Sequence, residues 1–361
     1  MSCVPSKTRN TLILWVSFCL GMCVNAQDIL PIRGLSIAAP NKENVDRFIK
    51  FIDEELPPRK INTLIVRVDY NFQYKSHPEL AQKNGLSQDE VAKIVLACKK
   101  NSIEIIPQIN LLGHQSWASN LGALLKVYPE FDETPSVQLP ENYKWPNADG
   151  LYCKSYCPLH PEVHNIVFEL VDELVAAFEA NAFHAGMDEV FYIGQEECPR
   201  CNGRDKAALF AGELIKIRNH LAQTNKMLWI WGDRLLDGKT TGIGMWEASM
   251  NNTHRAIDMI PKDIMICDWH YEKAEPTAAY FALKGFDVVT SSWNKGTVAK
   301  EQLALLKNLK KNSNQETAQH LKGMLHTSWS SAANFLDRFY APFDPHTEND
   351  DAVCFKILFG A

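Results

Sequence analysis

The chain has 361 residues, 46% of them hydrophobic and 22% charged, with a formal net charge of −6 at neutral pH. That length supports one large buried core, and the mild acidity, without basic runs, excludes a nucleic-acid binder held by charge. No stretch reaches the roughly 20 apolar residues that span a bilayer.

Residues 1–26 read as a secretory signal peptide. Lys7 and Arg9 form its basic start, Thr11 to Val24 is apolar, and Val24-Asn25-Ala26 offers small residues for cleavage before Gln27. The expectation is an exported protein with no stable membrane anchor after cleavage. Its single domain covers residues 27–361, and losing Lys7 and Arg9 takes the formal charge from −6 to −8.

Short apolar strands then alternate with longer amphipathic segments. Strands are predicted at Gly34–Ile37, Thr63–Val68, Ile103–Gln108, Ala182–Met187, Met227–Trp231, Ile264–Asp268, Asp287–Thr290 and Gly323–Thr327. Helices are predicted at Lys42–Glu55, Ser87–Lys100, Pro161–Ala180, Lys206–Thr224, Glu275–Lys284 and Val298–Lys311. Eight strands with helical crossovers imply an α/β fold, a closed (β/α)8 TIM barrel. Two irregular stretches, Pro129–Pro158 and Gly238–Pro261, fall on its active-site face as loops. The second holds Trp246-Glu247 and the glycosylation sequon Asn251-Asn252-Thr253, which has meaning only in a eukaryotic secretory pathway.

Polar and aromatic residues recur at the strand ends. Arg33-Gly34 opens the first strand and Asp69 ends the second. Gln108, Asn110 and Gly113-His114-Gln115 follow the third, and Asp188-Glu189 the fourth. Trp231 and Asp233 end the fifth, Asp268-Trp269-His270-Tyr271 the sixth, Trp293-Asn294 the seventh and Trp329 the eighth. In a barrel these converge on a sugar-sized pocket walled by indoles, with carboxylates and an Arg aimed inward.

Adjacency of Asp188 and Glu189 limits the chemistry. Two carboxylates that flank a glycosidic bond lie roughly 5 Å or more apart, on opposite faces of the sugar. Neighbours on one strand tip cannot do that. One can be a general acid in an apolar surround; the other must orient a group or stabilise charge. A nucleophile is then missing from the protein, and the substrate is one candidate source.

His184-Ala185-Gly186-Met187-Asp188-Glu189 resembles the His-x-Gly-x-Asp-Glu signature of glycoside hydrolase family 20, the β-N-acetylhexosaminidases. Arg33-Gly34 is similar to the family's first-strand Arg-Gly. Ile105-Ile106-Pro107-Gln108-Ile109-Asn110 with Gly113-His114 is similar to its third-strand motif, and Cys157-Pro158-Leu159-His160-Pro161-Glu162 to the Cys-Pro-x-x-Pro-Glu that opens the next helix. The resemblance runs from Arg33 to Trp329. It implies exo-acting hydrolysis of terminal N-acetylhexosamine from a glycan by retaining, substrate-assisted catalysis, with no cofactor. By that resemblance Glu189 is the acid/base and Asp188 holds the acetamido N–H. Arg33 grips ring hydroxyls, His114 buttresses the site, and Trp231, Trp269 and Trp329 enclose the sugar.

The chain also departs from the family. Val66-Arg67-Val68-Asp69-Tyr70-Asn71-Phe72-Gln73 is only distantly similar to its second-strand motif. Ser292-Trp293-Asn294 stands where the seventh strand normally brings a Tyr to the acetamido oxygen, so Tyr271 is the candidate for that place. Trp329-Ser330-Ser331 lacks the eighth-strand acid. Only Gln27–Ile32 lie between signal and first strand, so a divergent, barrel-only member is expected. Two other readings remain: a glycan-binding barrel without turnover, and a glycosidase for sugars lacking the 2-acetamido group, with Asp268 or Glu247 as nucleophile.

Of ten Cys, three fall in the leader and seven remain, an odd number. Cys198-Pro199-Arg200-Cys201 has the form of a metal knuckle, which Cys153 and Cys157 would complete as a structural zinc site. Disulfides bridging the same loops are the competing reading. His160, His164 and His184 read as packing or hydrogen-bonding residues, with no second metal spacing beside them.

Overall fold

The computed structural model describes residues 1–2, 30–144 and 153–360. The expected signal peptide, beyond its first two residues, lies outside the described residues. Eight parallel strands close into a barrel: β1 (Ile32–Ala38), β2 (Thr63–Arg67), β3 (Glu104–Leu111), β4 (Ala182–Gly186), β5 (Met227–Trp231), β6 (Ile264–Trp269), β7 (Asp287–Ser292) and β8 (Leu321–Thr327). Closure is direct, because β1 pairs with both β2 and β8.

The six expected helices are all present: α1 (Val45–Glu54), α2 (Gln88–Lys100), α3 (Val163–Ala177), α4 (Lys206–Ala222), α5 (Thr277–Leu283) and α6 (Gly296–Asn312). Their starts and stops follow local chemistry. Ser87 caps α2 through a reciprocal pair with Glu90. Asp205 caps α4 by accepting from the Ala208 N–H. The chain leaves α3 through Glu179 in the left-handed region (φ 47°), earlier than the apolar period implied. Between β5 and β6 there is a short helix, Gly238–Thr241, and a 3-10 turn, Thr253–Asp258, in place of a long helix. No helix among the described residues is long and apolar enough to cross a membrane.

Strand alternation divides the core in two. Leu64, Val66, Ile105, Phe183, Ile230 and Ile266 face the helices and join one large outer cluster. Ile65, Ile106, Ala182, Trp229, Met265, Val289 and Leu325 face inward and fill the barrel. Higher on the same inward faces stand Arg67, Gln108, Asn110, His184, Trp231 and Trp269. The plug of apolar side chains therefore gives way to a polar and aromatic floor at the C-terminal rim, where a (β/α)8 barrel places its chemistry.

Candidate active site

The tip of β4 is a strained turn. Gly186 has φ +67°, and a Cβ there would lie 2.5 Å from Asn110 Oδ1, so only glycine fits between the strands. Met187 (φ 66°) and Glu189 (φ 47°) also occupy the left-handed region, at a cost of order 1–3 kcal/mol each. The turn sets two consecutive carboxylates against one imidazole. His114 Nε2 lies 3.1 Å from Asp188 Oδ2 and 3.3 Å from Glu189 Oε2. Gly113 permits this approach, since a Cβ there would meet the Asp188 carbonyl at 2.8 Å. Cys153 stands behind, its Sγ 3.6 Å from His114 Nδ1 and donating to Glu189 Oε2 at 3.4 Å.

Electrostatics sort these groups. Burial opposes a charged His114, but the Asp188 carboxylate and the hydrogen bonds to Asp188 and the Cys153 sulfur outweigh it and hold the imidazole well above its ordinary pKa. Burial likewise pushes the Asp188 carboxyl up, and His114 more than reverses that, so Asp188 stays ionised. Burial pushes the Cys153 thiol up, which keeps it neutral. One oxygen of Asp188 serves His114; the other, Oδ1, is buried with no hydrogen-bond partner among the described residues. An ionised carboxylate oxygen left so is costly unless a bound molecule supplies a donor.

A buried ion pair holds Glu189 from the β5 side. Asp233 Oδ2 accepts from the Glu189 backbone N–H (2.9 Å) and from Arg234 Nε (2.6 Å), while Oδ1 accepts from Trp269 Nε1 (3.1 Å). Arg234 also donates through Nη2 to the Met245, Trp246 and Ala248 carbonyls. Asn251 completes the support, donating its side-chain amide to the Val190 and Phe191 carbonyls just beyond Glu189.

The aromatic wall is continuous. Trp231 packs on His184 (4.6 Å between centroids) and on Trp329 (5.5 Å). Trp269 meets Tyr271 at 4.9 Å, and Tyr271 meets Trp293 at 5.3 Å. The Tyr271 hydroxyl accepts from Trp329 Nε1 (2.9 Å) and lies 3.2 Å from Thr327 Oγ1, whose own hydrogen goes to the Ser292 carbonyl (2.8 Å). Burial pushes its pKa up, so it stays protonated. Trp231, Trp269, Tyr271, Trp293 and Trp329 thus gather with Asp188, Glu189 and His114 as the strand-end pattern implied.

Arg33 does not. It sits at the other end of the barrel, second in β1, where its guanidinium donates to the Arg59 carbonyl and lies over the Phe359 ring. The inward cation is Arg67, whose Nη2 donates to the Ser328 carbonyl (2.8 Å) and whose guanidinium covers Trp329 at 4.5 Å. Strand parity carried the signal, since Arg67 shares the inward face of Ile65. Cys153 is the second correction: it belongs to the His114–Glu189 group, and Glu133 takes its place beside Cys157, Cys198 and Cys201. The three histidines read as structural are placed so. His160 packs on Phe131, His164 bonds Glu213, and burial drives His184 down to about 3.

Asp268 and Glu247 are engaged elsewhere. Asp268 lies on the outward face of β6 and accepts from Thr277 Oγ1; Glu247 accepts from His270 Nδ1 and the Tyr271 N–H. Burial opposes charge on His270, but Asp268 and then Glu247 raise its pKa to about 10. A folded pKa above the unfolded value of roughly 6.5 adds stability that is complete below that value and is lost as pH climbs through 10. Tm is therefore expected to fall between pH 7 and 10 more steeply in the wild type than in His270→Gln; parallel Tm–pH curves would refute a charged His270.

The family model of the glycosyl hydrolase family 20 catalytic domain matches residues 60–339. A beta-hexosaminidase of Akkermansia muciniphila is 28% identical over 142 residues, 39% of this chain and 27% of that protein. A beta-hexosaminidase of Vibrio furnissii is 26% identical over 219 residues, 58% of this chain and 30% of the other. These matches span less than half the length of either relative. A crystal structure of a Flavobacterium johnsoniae chitobiase has the same fold, with a TM-score of 0.64 at 18% identity, covering 90% of this chain and 48% of that one.

Proposed function

The chain belongs to glycosyl hydrolase family 20, and from that premise we propose an exported, exo-acting β-N-acetylhexosaminidase. It removes terminal non-reducing N-acetylhexosamine from a glycan, retains configuration, and uses the substrate's acetamide as nucleophile. The observation that carries this reading is Asp188 Oδ1, an ionised, buried oxygen without a donor among the described residues, one residue from Glu189. An acetamido N–H supplies that donor.

The steps follow from this placement. Asp188 accepts the amide N–H and turns the acetamide oxygen toward the anomeric carbon. The Tyr271 hydroxyl turns its hydrogen from Thr327 Oγ1 to that oxygen and fixes its direction. Glu189 gives its proton to the glycosidic oxygen as the C1–O bond breaks and the acetamide oxygen bonds to C1. Asp188 stabilises the positive charge of the resulting oxazolinium. Glu189, now ionised, takes a proton from water, which attacks C1 and reopens the ring. The indole wall encloses the sugar, and Arg67 with the Gln108–Asn110 pair meets its hydroxyls. A protein nucleophile finds less support, because Asp268 points away from the pocket and both Glu247 oxygens are engaged.

The test compares 4-nitrophenyl N-acetyl-β-glucosaminide and its galacto epimer with 4-nitrophenyl β-glucoside. Release is expected from the acetamido sugars alone, with no glycosyl adduct in the intact mass. Equal release from the glucoside would sink acetamide participation. Saturable sugar binding without release, in folded protein, would sink the enzyme reading.

A further inference from the structure

We propose that Glu133, Cys157, Cys198 and Cys201 bind one zinc ion that clamps the loop after β3 to the loop after β4. The site is separate from the sugar pocket and stands whether or not the barrel hydrolyses glycans. All four side chains are buried, and their ligand atoms lie within 4.8 Å of one another. Cys157 Sγ is 3.4 Å from Cys198 Sγ and 3.5 Å from Cys201 Sγ. Tetrahedral zinc, with bonds of about 2.3 Å to sulfur, holds thiolates about 3.8 Å apart. Those two sulfur pairs need to open by only a few tenths of an ångström to accept the ion.

Backbone amides turn toward two of the sulfurs. Cys198 Sγ accepts the backbone N–H groups of Arg200 and Cys201, and Cys157 Sγ accepts that of Leu159. Such inward-turned amides stabilise negative sulfur. Glu133 Oε1 is fixed by the Gln195 N–H (3.1 Å), while Oε2 is buried with no hydrogen-bond partner among the described residues outside the cluster. The two arms that carry Glu133 and Cys157 are themselves held in register. Glu133 N donates to the Ser155 carbonyl, and Cys157 N to that of Phe131.

A disulfide accounts for less. It would draw two sulfurs to about 2.05 Å and leave the third thiol and the Glu133 carboxylate buried with only each other as side-chain partners. Three soft thiolates and one carboxylate, with no open position, form a closed structural site, and zinc is the metal that takes it.

Metal analysis of the full-length mature protein, purified without chelator, is expected to give one zinc per chain. Cys198→Ser/Cys201→Ser is expected to lose it, and Cys153→Ser to keep it. Mercurial titration of the folded wild type is expected to release the ion into a chromogenic chelator in step with thiol capture. Zinc below about a tenth per chain, with an intact mass two daltons under the reduced value, would overturn the proposal in favour of a disulfide. Zinc retained by the double variant, or lost from Cys153→Ser, would overturn it in favour of the His114–Cys153–Glu189 group. If both cysteine variants fail to fold, Glu133→Gln, expected to weaken zinc retention against a chelator at least tenfold, decides; unchanged retention would refute the site.

Discussion

Glu189→Gln is expected to lower kcat/KM for an alkyl N-acetyl-β-glucosaminide by about 10³-fold, within the range general acids supply, and to lose far less on the 2,4-dinitrophenyl glycoside. The physical reason lies in the leaving group. An alkoxide cannot depart without a proton, whereas dinitrophenolate can. Only the group that donates the proton gives a loss that tracks leaving-group basicity. Asp188→Asn is the internal contrast. Asp188 acts on the acetamide, so its loss, about 10²–10³-fold, is expected to be the same for both substrates. A Glu189→Gln loss independent of the leaving group would mean that Glu189 shapes the site without supplying the proton, and the acid would have to be sought elsewhere.

The second large effect falls on stability. Arg234→Met is expected to cost about 3–5 kcal/mol, the range for breaking one partner out of a buried ion pair. Arg234 is fully buried, holds Asp233 at 2.6 Å and donates to three carbonyls of the loop after β5. Without it Asp233 is an uncompensated buried charge, and burial already pushes that carboxyl up to about 6 even with Arg234 beside it. For a chain of this size the cost corresponds to a Tm lower by roughly 4–7 °C. Because Asp233 also fixes the Glu189 backbone and the Trp269 indole, kcat is expected to fall as well. An Arg234→Met protein with unchanged Tm would show that the pair contributes no net stability.

The barrel was legible because its strands are short and apolar and its helices amphipathic, so the eight strands and six helices fall where periodicity puts them. Asp188-Glu189, His114 and the tryptophans were legible because strand ends share one rim. Arg33 was misplaced because motif resemblance ignored parity: its position in β1 faces outward, and Arg67, on the inward face of β2, was passed over. Glu133 and Cys153 could not be told apart from spacing. Both lie in a long irregular loop, and which of them meets Cys157 depends on a pairing, Asp132 against Tyr156, that no local pattern announces. Arg234 was hidden because its partners are carbonyls, which leave no mark on the sequence.

The amide of Asn251 has a consequence for producing this protein. That nitrogen is the atom a sequon offers for glycosylation, yet both of its hydrogens already bind the carbonyls that follow Glu189. Attachment during passage through a eukaryotic secretory host would precede folding and leave one hydrogen for two acceptors, with a branched oligosaccharide wedged beside the catalytic turn. Bacterial expression avoids a heterogeneous preparation whose low specific activity would be mistaken for a property of the barrel.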